Sequence, residues 1–125
     1  MVLSVLRIAL YVQLLLGLVR YAERFGAPPL GHIFDIHQLI GVIVVVLALY
    51  AFRSIPGVPN TGVRIAARFF AIVPLVLGLG FVATVIPTRS LYVGIHMLAG
   101  IMTIALVEMA IAQQRRARRR RRITG

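Results

Sequence analysis

Four apolar segments, each about 20 residues long, restrict the fold of this chain more than any other feature. They cover about residues 2–21, 33–52, 63–86 and 91–112, and clusters rich in Gly, Pro and Arg separate them. A helix of about 20 residues is long enough to cross a hydrocarbon core about 30 Å thick. The chain is 60% hydrophobic and 14% charged, whereas about a quarter of the residues in soluble domains are charged. The sequence therefore predicts an all-α integral membrane protein with four spans.

The same pattern occurs twice along the chain. Residues 36–41 read IHQLIG and residues 95–100 read IHMLAG, while residues 14–17 read LLLG and residues 75–78 read LVLG. This repetition predicts two helical hairpins, one over residues 1–53 and the other over residues 62–112. Pro74 should kink the third span mildly. Four consecutive antiparallel helices with short loops most simply form an up-down-up-down bundle, so we expect one membrane domain over residues 1–112 and an arginine-rich tail over residues 113–125.

Arginine collects at one end of the predicted bundle. The loop between the second and third spans and the start of the third span carry Arg53, Arg64 and Arg68, and residues 115–122 carry seven of the 14 basic residues. Basic residues favour the cytoplasmic side of a membrane. We therefore expect a multi-pass protein of the inner (plasma) membrane with both termini in the cytoplasm.

The net charge of +11 would suit a nucleic-acid-binding protein, but its location favours another partner. No aromatic residue interrupts the arginine run at residues 115–122, and the sequence shows no folded nucleic-acid-binding domain beside it. Anionic lipid headgroups attract such a run by about 1 kcal/mol per residue near the membrane surface. We expect the tail to contact the lipid bilayer or a partner subunit, and we expect no nucleic acid.

The two histidines of the repeated motif, His37 and His96, are the candidate metal ligands. On a helix, each lies on the same face as the glycine four residues later, Gly41 or Gly100. Both histidines are predicted within about 10 Å of the outer surface, because a helix rises about 1.5 Å per residue. An ionisable residue inside a membrane span is a functional candidate. Two imidazoles at one depth suit the two axial positions of a single haem b.

The other two spans bring glycine to the same depth. The first span reaches this layer at Gly17 and the third at Gly78, and walls without side chains would admit a flat macrocycle. At the outer boundary, Arg24 and Arg89 are candidates to pair with haem propionates, because guanidinium binds carboxylate bidentately. The predicted cofactor site consists of His37, His96, Gly17, Gly41, Gly78, Gly100, Arg24 and Arg89.

Other interpretations of these residues remain open. A histidine in a span often hydrogen-bonds to a neighbouring helix, and glycines are common packing residues there. The histidines would then bind chlorophyll, which needs one axial ligand, or no cofactor. Gln13 and Thr103 lie on the cofactor side of their helices and are candidates to contact the haem or a quinone. His32 is roughly 140° around the helix from His37 and is not expected to share its face.

Two charged residues, Arg7 and Glu108, fall near the cytoplasmic ends of the first and fourth spans. These spans are neighbours in the predicted bundle. We expect the two side chains to form an ion pair, because pairing lowers the cost of removing both charges from water.

Several short motifs resemble those of one family. Residues 13–20, QLLLGLVR, a Gly/Pro-rich loop and a histidine that opens the second span are similar to one four-helix half of the haem A synthases, as are LGLG at residues 77–80 and VGIH at residues 93–96. The resemblance implies that His37 and His96 are the axial pair of one haem. The family typically has a glutamate three residues before the first histidine and an arginine after it, where this chain has Phe34 and Gln38. The resemblance thus implies a haem cradle without the catalytic glutamate.

These observations favour a small membrane cytochrome b-type subunit. It would hold one haem near the outer face and pass electrons between quinol and an external carrier or a larger membrane complex. A second interpretation is a non-enzymatic accessory subunit of a respiratory or photosynthetic complex, and a third is a half-size enzyme similar to haem A synthase that acts as a dimer. The chain has no cysteine, which excludes thiolate metal sites and iron–sulfur clusters.

Overall fold

A computed structural model describes residues 1–23, 25, 26, 32–56, 58–83 and 90–124. Within these residues the chain is helical and contains no strand. The helices are α1 (Val2–Glu23), α2 (Ile33–Ala51), α3 (Gly62–Phe69), α4 (Ile72–Val82) and α5 (Ser90–Thr124). The prediction of an all-α protein is confirmed.

Three helical stretches in the described part of the chain are long and apolar enough to cross a membrane. They are Val2–Glu23, Gly62–Val82 and Leu91–Ala117. The apolar part of α2, Asp35–Ala51, is shorter. Large apolar side chains, among them Leu15, cover the outward surfaces of the helices. An exposed apolar surface of this extent suits contact with lipid rather than with water.

The third apolar segment is helical from Gly62 to Val82, with a local interruption at Phe70 and Ala71 that separates α3 from α4. Both residues keep right-handed helical backbone angles, and residues 84–86 of the predicted span lie outside the described residues. Pro74 has no N–H to donate to the carbonyl of Phe70, four residues earlier. That carbonyl accepts instead from the N–H of Val73 at 3.0 Å. The tighter turn that results ends α3 before the proline.

The last helix continues through the arginine tail. The sequence predicted that the fourth span ends near residue 112, whereas α5 runs to Thr124. No Gly or Pro occurs in residues 101–124, and Arg, Gln and Ala all favour helix. The charge of the tail is therefore carried along a helix that continues directly from the apolar segment.

Hydrogen bonds join three helices at the end of the molecule that carries the tail. The Thr61 hydroxyl accepts from the N–H of Arg64 at 3.4 Å, which caps α3, and it donates to Gln113 Oε1 of α5 at 2.7 Å. Arg64 is only 2% exposed, and its Nη2 donates to the backbone carbonyl of Arg53, just after α2, at 3.1 Å. These contacts hold the start of α3 against α2 and α5.

The helices pack in a closed ring. α1 lies against α2 and α5, and α3 and α4 lie against the same two helices. The packed core is at the tail end and combines Leu6 and Phe52 with small residues such as Ala48, Ala67 and Ala110. Small residues let helix backbones approach closely. Toward the other end, glycines replace the alanines and a cavity opens between the helices.

Candidate functional site

The imidazole rings of His37 and His96 come together near the starts of their helices. His37 is the fifth residue of α2 and His96 the seventh residue of α5. The ring centroids are 6.3 Å apart, and the ring planes form an angle of 66°. Both residues are half-buried. The two histidines that the repeat singles out therefore meet in space, although they are far apart in the sequence.

Each imidazole lies against a glycine of a neighbouring helix. A methyl group added at Gly17 of α1 would lie 3.4 Å from His37 Cε1, and one added at Gly78 of α4 would lie 3.2 Å from His96 Cε1. The sequence suggested that these glycines leave room for a macrocycle. In the structure the rings themselves occupy part of that room, because both imidazoles reach across to the glycine helices.

The glycines one turn beyond the histidines differ from each other. A methyl group at Gly41 would lie 3.2 Å from Gln13 Nε2 and 3.5 Å from Leu75 Cδ1, whereas one at Gly100 would have no neighbour within 4 Å. Gly41 therefore leaves space for the side chain of Gln13. Gly100 leaves open space in the cavity, as expected for a glycine that a cofactor could approach.

Each imidazole also has one nitrogen without a protein partner. Nδ1 of His37 and Nδ1 of His96 are both buried and form no hydrogen bond. Nε2 of His37 lies 3.4 Å from Gln13 Nε2. Leaving a polar nitrogen buried and unpaired costs free energy, so both rings can accept a further partner.

A cavity of about 520 Å³ surrounds the two rings. It extends from Arg20 and Tyr21 near the end of α1 to Thr103 and Ile104 on α5. Cavities of roughly 300–1,000 Å³ hold cofactors and other small molecules. Its walls include the described residues of the predicted site, which are His37, His96, Gly17, Gly41, Gly78 and Gly100.

The cavity also has a charged pair in its wall. Arg20 and Glu23 both line it, and their side chains form an ion pair within the last turn of α1. The two arginines that the sequence suggested for propionates, Arg24 and Arg89, lie outside the described residues. Their pairing with a carboxylate stays a prediction, while Arg20 shows that at least one guanidinium reaches this part of the cavity.

Three other residues considered from the sequence lie away from the cavity. The side chain of His32 is 93% exposed, and its Nδ1 lies 3.4 Å from Asp35 Oδ2, in agreement with its place on another helix face. Arg7 Nε donates to Glu108 Oε1 at 2.6 Å, and the Tyr11 hydroxyl donates to the same oxygen at 3.3 Å. The predicted pair of Arg7 and Glu108 is confirmed, and it ties α1 to α5.

One neighbour of the histidines was not identified from the sequence. The ring of Phe81 lies 5.6 Å from the ring of His96, with 70° between the ring planes. Phe81 follows Gly78 by three residues, which places both on one helix face. This three-residue spacing was the feature of the sequence that could have identified Phe81 as a neighbour of His96. The fit of Gln13 against Gly41 had no such signal, because it depends on how α1 and α2 are rotated against each other.

The donor set limits the kind of metal group that the site can hold. Among the residues that the structure describes, no group of three or more His, Cys, Asp or Glu side chains is placed to hold a metal ion. Two imidazoles are a sufficient contribution from the protein when the metal brings its remaining ligands with it, as in a haem. The donors present here fit such a group better than they fit a bare ion.

Comparison with known proteins gives one match. Residues 31–124 match a family described as a protein of unknown function, DUF1516. The chain belongs to the DUF1516 family. The residues matched to DUF1516 include both His37 and His96 and leave out α1. No curated protein and no solved structure matches the chain.

Proposed function

We propose that this chain is a membrane cytochrome b-type subunit that holds one haem b between His37 and His96 for electron transfer. One observation carries the proposal. Two imidazoles from separate helices lie 6.3 Å apart in a cavity of about 520 Å³, and each has a buried Nδ1 without a partner. Buried imidazole nitrogens are common metal ligands.

The spacing of the rings fits two ligands on one metal. A histidine nitrogen binds a transition metal at about 2 Å, so two imidazoles that would hold the same metal must lie within a few ångströms of each other. The observed separation is 6.3 Å. Gly100 has no neighbour within 4 Å of an added methyl group, and this open wall supports entry of a flat ring. The residues present therefore fit a bis-histidine haem.

The chain would contribute ligands, burial and charge. A bound haem supplies a one-electron centre, because its iron alternates between the ferric and ferrous states. His37 and His96 would provide the axial nitrogens. The apolar walls exclude water, and ligand type and burial together set the reduction potential. Arg20, with Arg24 and Arg89, would pair with the propionate carboxylates.

The proposal includes a topology in the membrane. The four apolar segments would form an up-down-up-down bundle of two hairpins in the plasma membrane, with both termini in the cytoplasm and the histidines near the outer face. The closed ring of helix contacts supports this arrangement. Arg53 lies just after α2, Arg64 lies in the first turn of α3, and the arginine tail forms the last part of α5. Hydrogen bonds join these three helices at this end, and the basic residues favour the cytoplasmic side for it. Anionic headgroups would bind the tail, and a quinone or a larger membrane complex would exchange electrons with the haem.

An absorption spectrum tests the haem directly. The chain is purified in detergent from cells supplied with haem, and spectra are recorded with and without dithionite. We expect a Soret band, one haem per chain, and loss of haem in both His37→Ala and His96→Ala. His32→Ala is the matched control, because this histidine precedes α2 directly but is exposed, and it should keep the haem. A wild-type chain without a Soret band, or with two haems, would contradict the proposal.

The packing of both rings against Gly17 and Gly78 favours a second candidate function. The chain would then be an accessory subunit of a respiratory or photosynthetic complex, and its histidines would bind chlorophyll or serve only in packing. A chlorin needs one axial ligand, so only one of the two alanine variants would lose pigment. With histidines that serve only in packing, the wild type carries no pigment, and both variants lower the stability of the helices.

A further inference from the structure

The two hairpins present the same arrangement to their histidines. Gln13 precedes Gly17 by one helical turn, and Pro74 precedes Gly78 by one turn. A methyl group added at Gly17 would lie 3.4 Å from His37 Cε1, and one added at Gly78 would lie 3.2 Å from His96 Cε1. Because neither glycine has a side chain, each ring can lie against its glycine helix. α1 and α4 therefore act on the histidines in the same way.

A carbonyl oxygen constrains the protonation pattern of the ring that it contacts. Carbonyl oxygens only accept hydrogen bonds, so the ring must offer them an N–H. A neutral imidazole carries its proton on one nitrogen and a lone pair on the other. The hydrogen bond that one nitrogen makes determines which nitrogen is left for a metal. Within the part of the chain that the structure describes, Nδ1 of each ring is buried and has no hydrogen-bond partner.

His37 has a polar side chain beside its ring, the carboxamide of Gln13. The carboxamide of Gln13 places Nε2 at 3.4 Å from His37 Nε2, while the Gln13 Oε1 atom is buried and makes no hydrogen bond. A carboxamide has nearly the same shape when its oxygen and nitrogen exchange places. In that orientation the oxygen accepts from His37 Nε2–H, which gives the buried Oε1 atom a partner. The absence of a side chain at Gly41 makes the room, since a methyl group there would lie 3.2 Å from the Gln13 amide.

We propose that Gln13 is a positioning residue for His37: it accepts the Nε2–H proton and leaves Nδ1, with its lone pair, as the nitrogen available to a metal. What binds at Nδ1 rests on the proposed haem function, whereas the position of the proton does not. Second partners of this kind fix the orientation of metal-binding histidines and raise their basicity. Among the described residues, no carboxamide bonds to the His96 ring as Gln13 does to the His37 ring, so the two ligands of the site are not equivalent.

The test reads the proton position without any cofactor. The full chain, labelled with ¹⁵N in its histidine rings and prepared without haem in detergent, is studied by NMR at about pH 8.5, where an imidazole with the ordinary pKa of about 6.5 is neutral. In the wild type, we expect His37 to carry its proton on Nε2. In Gln13→Leu the ratio of Nε2–H to Nδ1–H should fall by about fivefold, the worth of one ordinary hydrogen bond, toward the ratio of His96.

Three further measurements keep the outcome clear. Gln13→Glu retains an acceptor and should keep the proton on Nε2. Gln38→Leu replaces another cavity-lining glutamine, which has no hydrogen bond to His37 among the described contacts, and should leave both rings unchanged. The His96 signals of every variant report whether the helices still pack. A His37 proton on Nδ1 in the wild type, or a Gln13→Leu ratio equal to that of the wild type, would overturn the proposal.

The position of the His37 proton is tested independently of haem binding. If the wild type binds no haem but Gln13→Leu moves the proton, then the proposed function fails and the positioning role of Gln13 stands. If the wild type binds haem but Gln13→Leu leaves the His37 proton in place, then the proposed function stands and the positioning role of Gln13 fails. When haem does bind, Gln13→Leu should also raise its reduction potential relative to wild type, because the His37 ligand becomes less basic, and Gln38→Leu should not.

Discussion

Gly78 leaves little room for a side chain beside His96, and an alanine at position 78 should disturb the imidazole. A methyl group there would lie 3.2 Å from His96 Cε1. Carbon atoms in favourable contact are about 3.5–4.0 Å apart. The imidazole would therefore have to move by several tenths of an ångström, away from α4 and toward the cavity. We expect Gly78→Ala to be destabilising relative to an alanine placed where there is room.

The size of this effect follows from two opposing contributions. Replacing glycine by alanine inside a helix stabilises by about 1 kcal/mol, while overpacking a close contact costs about 1–3 kcal/mol. Gly94 lies inside α5, and a methyl group added there would have no neighbour within 4 Å, so Gly94→Ala should show the gain alone. Gly78→Ala should then be less stable than Gly94→Ala by about 1–3 kcal/mol, or about 5- to 150-fold in the unfolding constant. Gly17→Ala, with its methyl group 3.4 Å from His37 Cε1, should fall between the two.

The comparison is made by unfolding the three variants and the wild type in detergent micelles with increasing SDS, followed by circular dichroism. The order of stability should be Gly94→Ala, then Gly17→Ala, then Gly78→Ala. If Gly78→Ala were as stable as Gly94→Ala, the imidazole of His96 would not lie against α4. The packing argument for His96 would then be refuted.

Three more predictions concern the rest of the fold. Thr61→Ala should lower the free energy of unfolding by about 1 kcal/mol because it removes the cap of α3, while Thr61→Ser, which keeps the hydroxyl, should not. Equal losses of stability in the two variants would contradict this. In a double-mutant cycle, Arg7→Gln with Glu108→Gln should lower stability by less than the sum of the single changes, whereas additive losses would argue against coupling. The chain has no cysteine, so Ser54→Cys and Phe25→Cys can be labelled without background. They should react from the cytoplasmic and outer sides respectively, and labelling from one side would refute the proposed orientation.

The helices and their order followed from local properties of the sequence. Apolar length and the positions of Gly and Pro are enough to place α1, α2 and the start of α5 within a few residues, since each depends on its own segment. Two further features are also local in origin. Pro74 removes a donor to the carbonyl of Phe70 and so interrupts the third segment between α3 and α4, and the absence of a helix breaker lets α5 continue to Thr124.

The approximate depth of each candidate residue was also a matter of sequence, because a helix rises by a constant distance per residue. His37 and His96 were therefore expected in one layer, and the ion pair of Arg7 with Glu108 was expected between neighbouring helices. What the sequence did not contain is the rotation of each helix about its own axis. That rotation depends on the packing of all the helices at once.

Only the tertiary structure decided which side chain occupies each space. It placed the imidazoles against Gly17 and Gly78, and it placed Gln13 against Gly41 rather than leaving that space to a cofactor. The sequence alone determined the four apolar segments, their charges and the repeated histidines, because these depend on composition and spacing. The contacts within the site depend on side-chain rotamers and helix rotations, which are settled only when the whole set of helices packs together.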